Sequence, residues 1–174
     1  MTNQEVFALI KPMGALTYST VHGDEVHSRV AGIVAADDGG FYFFSLRNKP
    51  FARQLLSTGR VTICGSYTPP CEPNPAYRLR PGYAIRLIGE VREVPEAEVR
   101  KKAKNNPSFR KLIEYDYARY PDTITFVLYK GKGEIFDYDF NLEKRDHKLI
   151  RTRFSIGGGS FNPAGFKIND NCTG

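Results

Sequence analysis

Hydrophobic positions along the chain change period several times, and each change marks an element. In "NQEVFALIK" (3–11), Val6, Phe7 and Ile10 fall on one face of a short helix. "ALTYSTV" (15–21) then reads as a strand, "HGDE" as a turn freed by Gly23, and "VHSRVAGIVAA" (26–36) as a second strand. After a "DDGG" turn, "FYFFSL" (41–46) reads as an aromatic, mostly buried third strand, completing an antiparallel meander. "PFARQLLSTG" (50–59) reads as a helix of about two turns, with Pro50 suited to a first helical position and Gly59 to a stop. "RVTICGSY" (60–67) is a fourth strand, and the proline-rich stretch 68–82 a surface loop.

"YAIRLIGEVREV" (83–94) alternates in polarity and predicts a long fifth strand. "PEAEVRKKAKNN" starts a helix at Pro95, with acids early and bases late as the helix dipole prefers, and a second helical segment follows Pro107. "TITFVLYKGKGEIFDYD" (123–139) predicts a hairpin turning at "GKG". Antiparallel strands in this number, with short turns, point to a mainly β fold with peripheral helices, a six-stranded closed or split barrel. The expected domain is 1–139. Residues 140–174 read as an extended tail, first highly charged and then glycine-rich, that wraps along the surface or a partner. There is no internal repeat.

At 174 residues the chain is long enough for one domain with a substantial core. A net charge of +6 favours anionic partners without choosing among them. No run reaches the roughly 18 apolar residues a membrane helix needs, and the N-terminus lacks the pattern of a signal peptide. Cys64, Cys71 and Cys172 are odd in number and widely spaced, so they read as reduced thiols, with Cys64 buried in a strand and a cytoplasmic setting expected.

The chemistry concentrates in "SLRNKP". Ser45, Arg47 and Lys49 occupy a turn that opens a helix, and a helix N-terminus presents unpaired N–H groups and partial positive charge to an anion. A hydroxyl and two cations add donors to that seat. Taken alone, such a turn is more often simply solvated. The stretch "HSRVAGIVAADDGGFYFFSLRNKPFARQLLSTGRVTICG" resembles the FMN-binding split-barrel proteins related to pyridoxamine 5'-phosphate oxidase. The pattern is an Arg on the second strand, an acidic-Gly turn, an aromatic strand ending in Ser, a basic turn and a short helix containing "QL". Residues 6–139 fit this order.

The resemblance implies that Arg29, Ser45 and Lys49 hold the FMN phosphate, with Arg47 helping. It implies that backbone around Val30, Ala31 and Phe44 lines the flavin ring and that Gln54 faces the cofactor. It also implies a homodimer with FMN in a groove between two barrels. Arg29 is expected to reach the turn because its strand should neighbour the aromatic strand. Arg86, on the fifth strand, is expected to face water.

The chain departs from true pyridoxamine-phosphate oxidases: it has no Trp, and "RTRFSIGGGSFNPAG" does not match their "RLxP"-type strand. "SLRNK" also lacks the His that the related nitroimidazole-reductase group often carries there. The expectation is therefore an FMN-dependent oxidoreductase acting on an unassigned small molecule or electron-transfer partner, with no catalytic residue assigned. His22 and His147 read as surface residues, and His27 shares a strand face with Arg29. Two other classes stay open: a flavin- or haem-binding protein without turnover, and a basic nucleic-acid-binding barrel. Against the last, the basic residues are spread along the chain and mixed with acids. The tail "FKINDNCTG" is open to two readings, the start of an iron–sulfur segment carried by Cys172 or a stray cysteine.

Overall fold

The structure, a computed structural model, describes residues 1–68, 82–137 and 150–157. Helix α1 (Asn3–Ile10) is started by a capping box: the Thr2 hydroxyl accepts from the Glu5 N–H while the Glu5 carboxylate accepts from the Thr2 N–H. Val6 and Ile10 are buried, as the spacing predicts. The strands are β1 (Leu16–His22), β2 (Glu25–Ala31), β3 (Ala35–Asp37), β4 (Gly40–Leu46), β5 (Arg60–Tyr67), β6 (Tyr83–Val94), β7 (Thr123–Asp137) and β8 (Ile150–Ile156). Helix α2 (Pro50–Thr58) lies between β4 and β5 and ends at Gly59, whose left-handed φ of 61° suits glycine. Between β6 and β7 come α3 (Glu96–Ala103), α4 (Pro107–Lys111) and a wider helical segment, Leu112–Tyr117.

All strands join one antiparallel sheet in the order β2-β1-β5-β6-β7-β4-β3, with β8 added on β7. Its two ends, β2 and β3, are joined by only residues 32–34. Laid flat, they would stand roughly 29 Å apart at about 4.8 Å per strand, whereas that connector spans at most about 14 Å. The sheet must therefore curl until its ends approach, which makes it a split barrel.

The interior of the curl holds Tyr18, Phe41, Phe43, Leu55, Ile63, Leu87 and Phe126, closed over by α1 and α2. A second cluster, Tyr42, Val94, Val99, Phe109, Leu112 and Val127, lies on the opposite face of β4 and β7 under α3 and α4. Asp37 ties this layer together. It accepts from the Tyr42 hydroxyl at 2.8 Å and from Lys102 Nζ at 2.7 Å, and Lys102 also sits over the Tyr42 and Phe109 rings.

Several expectations change. Among the described residues the sheet has eight strands rather than six. The stretch 26–36 is not one strand: β2 pairs with β1, the chain crosses at 32–34, and β3 pairs with β4. Consequently β2 does not neighbour the aromatic strand. "GKG" is not a turn but the middle of β7. Gly131 lies opposite Gly89, and a Cβ on it would meet the Ile88 carbonyl oxygen at 2.2 Å. Gly133 lies under Phe154, whose ring a Cβ would meet at 2.1 Å. These glycines permit close approach, a use that mimics a turn signal in sequence. Residues 150–156 join the sheet, so its edge extends past the boundary expected at 139. No helix among the described residues is long and apolar enough to cross a membrane.

Candidate functional site

Facing residues of an antiparallel pair share a face, so Arg29, opposite Tyr18, points to the inner side of β2. There it meets α2. Its guanidinium lies over the Phe51 ring, 4.5 Å from the centroid, and Nη1 donates to Gln54 Oε1 at 2.8 Å. Gln54 is buried, 5% exposed, and the same oxygen accepts from the Thr20 hydroxyl at 2.7 Å. Partial burial lowers the Arg29 pKa.

Ser45 shares the inner face of β4 with Phe43, which stacks on Phe51 at 6.1 Å. Arg29, Phe51 and Phe43 thus stack in succession, and Ser45 lies two residues beyond Phe43 on the same face of β4. The Ser45 side chain is buried, 8% exposed, and among the described residues its hydroxyl reaches only the next carbonyl at 3.5 Å, the limit of a hydrogen bond. Lys49 is the N-cap of α2. Lysine cannot accept from the first-turn amides, and no side chain caps them. Its ammonium has no hydrogen-bond or ion-pair partner among the described residues.

The remaining expected residues lie apart from this group. Arg47 is ion-paired with Glu93 of β6, which holds its pKa above the usual guanidinium value, and its N–H donates to the Asp122 carbonyl. The side chain of Phe44 packs on the second cluster, facing α3 and α4. Val30 points to the outer face of β2 and is 69% exposed, while Ala31 packs against the main cluster. His27, two residues before Arg29, is half-buried, 3.5 Å from the Glu25 carboxylate and beside the His22 ring. Arg86 pairs with Glu134 at 3.4 Å, and Cys64 is half-exposed rather than buried. Cys71, His147 and Cys172, and with Cys172 the iron–sulfur reading, lie outside the described residues.

Sequence reasoning missed Thr20 and Glu93. Thr20 carried a signal: it continues the inward series of Leu16 and Tyr18, where a hydroxyl needs a buried partner. Glu93 carried none, because its pairing with Arg47 depends on the fold.

The donor set suits a phosphate. A cation at the head of a helix is unfavourable toward the helix dipole, and a bound anion reverses the sign of that interaction. Lys49, the Ser45 hydroxyl, the uncapped first-turn amides and the Arg29 guanidinium are the groups such an anion requires.

No family model matches the chain, and no curated protein does. Solved structures do match. A NimC/NimA family protein from Clostridium acetobutylicum aligns with a TM-score of 0.64 and 23% identity, over 88% of this chain and 91% of its own. A heme binding protein from Mycobacterium smegmatis aligns at 0.58 and 14%, over 86% and 57%. A FAD-binding protein from Mesorhizobium loti aligns at 0.52 and 12%, over 76% and 92%. The curled sheet, its strand order and these likenesses agree: the chain has the split-barrel fold of the pyridoxamine 5'-phosphate oxidase-like proteins.

Proposed function

We propose that the chain is an FMN-binding flavoprotein and works as an FMN-dependent oxidoreductase on a small molecule or an electron-transfer partner. The observation that carries the reading is the head of α2. An uncapped helix N-terminus begins with Lys49, four residues after the under-bonded Ser45 hydroxyl, and Arg29 is anchored to the same helix one turn on by Gln54. Lys49 and Ser45 bind the phosphate, and Arg29, fixed in place by Gln54 and Thr20, adds charge without reorganising. Arg47 contributes little, being neutralised by Glu93.

When bound, the flavin supplies the electron transfer, and the protein's part is to hold and orient it. A FAD-binding protein with the same fold is consistent with this assignment. The cofactor would lie between two copies of the chain, and exposed Val21, Val26 and Val30 on the outer face of the β1–β2 hairpin suit a second copy there.

The test is the absorption spectrum of the purified chain after incubation with excess FMN and removal of the free cofactor. The reading expects flavin bands at about one per chain. A Soret band acquired on incubation with haemin, with no retained flavin, would replace flavin by haem. Retention of neither would refute cofactor binding.

A further inference from the structure

A cavity of about 470 Å³ opens on the sheet across β1, β5, β6 and β7. Ser19, Thr62, Ile88 and Lys132 form one row across these four strands, each facing the next. The adjoining row, Arg60, Glu90 and Lys130, closes one end. The volume lies in the range of small-molecule sites, and the lining combines apolar side chains, hydroxyls and a charged end.

The charge is unbalanced. Arg60 and Lys130 share a single lining carboxylate, Glu90. Glu90 is already committed: it accepts from the Tyr129 hydroxyl at 3.0 Å and from Lys130 Nζ at 3.2 Å, and these bonds hold it below the usual carboxylate range. The Arg60 guanidinium has no hydrogen-bond or ion-pair partner among the described residues. A net positive hollow with an apolar wall is complementary to an anion that also has an apolar body.

We propose that this hollow binds a small organic anion, of the aromatic carboxylate class, with Arg60 taking the carboxylate and Ile88 packing against the ring. The hollow adjoins the C-terminal end of α2 through Thr58, and it meets the bond that anchors Arg29 through Thr20, which lines it and also donates to Gln54. Anion binding stands without the flavin. A role for that anion as substrate rests on the flavin reading.

The test titrates the full chain, with and without FMN, using naphthoate and its neutral analogue naphthamide, followed by calorimetry. Naphthoate is expected to bind once per chain and at least roughly tenfold more tightly than naphthamide, the scale of one charge-assisted bond. Arg60→Gln should remove that preference and leave naphthamide unaffected, Arg60→Lys should restore part of it, and Arg110→Gln, on distant α4, should change nothing. Equal binding of the two probes, binding of neither, or naphthoate affinity unchanged in Arg60→Gln overturns the proposal. Naphthoate binding without retained FMN would uphold this site while refuting the flavin reading, and the converse result would do the opposite.

Discussion

Arg29 Nη1 donates to Gln54 Oε1 across 2.8 Å, joining β2 to α2 although β2 and β4, the strand that leads into α2, lie far apart in the sheet order. The same oxygen accepts from Thr20, so one buried amide fixes two side chains from a neighbouring pair of strands. Gln54 therefore orients the cation while itself staying out of solvent.

Gln54→Leu leaves a buried hydroxyl and a half-buried guanidinium without their acceptor. The expected loss is about 1–3 kcal/mol of unfolding free energy, read from urea denaturation. Gln54→Glu keeps the acceptor and should recover most of it. Equal stability of Gln54→Leu and the parent would show that the bond contributes nothing.

The two basic residues of the turn should separate by function. Lys49→Ala should weaken FMN binding roughly tenfold or more and leave stability nearly unchanged. Arg47→Ala removes an exposed ion pair worth at most about 1 kcal/mol and should leave FMN affinity within about twofold. Flavin fluorescence titration of both variants checks the contrast.

That contrast also shows where sequence reading ended. The periods of 2 and 3.6 placed β1, β5, β6 and α2 within a residue or so, because each buries mainly one face, and an unbroken aromatic run placed β4, which buries both. The barrel was legible from strand number and short turns. β3 and β8 were not: three residues of β3 continue the polarity of β2, and β8 lies in a charged, glycine-rich stretch. The glycines of β7 misled because a close backbone approach and a turn require the same residue. Arg29, Ser45, Lys49 and Gln54 were singled out by the resemblance to a known order, and of these the fold joins Arg29 to Gln54. That Arg29 reaches α2 across the barrel, and that Arg47 is neutralised by Glu93, followed only from the fold.

Gly133→Ala should destabilise the β7–β8 edge by about 1–3 kcal/mol, since its Cβ would meet the Phe154 ring at 2.1 Å. Phe154→Ala should make the second substitution less costly than the sum of the two single effects. Gly131→Ala meets a backbone oxygen instead, so no side-chain truncation should rescue it. Thermal unfolding of the single and double variants distinguishes these cases.

Burial pushes the Tyr42 phenol up to about 12 from the ordinary 10.0, and the Lys102 ammonium is also raised, its bonds to Asp37 and Tyr42 outweighing burial. A raised folded-state pKa gives stability that is complete below the unfolded value and is lost as pH rises through the folded one. The Tyr42 contribution should thus be intact at pH 9 and fade between about pH 10 and 12, by roughly 2–3 kcal/mol at most. Urea midpoints across that interval should fall less steeply in Tyr42→Phe than in the parent. Parallel curves would contradict this.

The seat at the head of α2 is tested most directly by comparing FMN with riboflavin, which has the same ring and no phosphate. Both dissociation constants come from quenching of flavin fluorescence on the full chain. Two or more charge-assisted bonds to the phosphate, each worth roughly 1.5–3 kcal/mol, predict that FMN binds at least about a hundredfold more tightly. They also predict that this advantage shrinks in Lys49→Ala. Equal affinity for the two flavins, or an FMN advantage that Lys49→Ala leaves intact, would contradict the assignment of Lys49, Ser45 and Arg29 as the phosphate site.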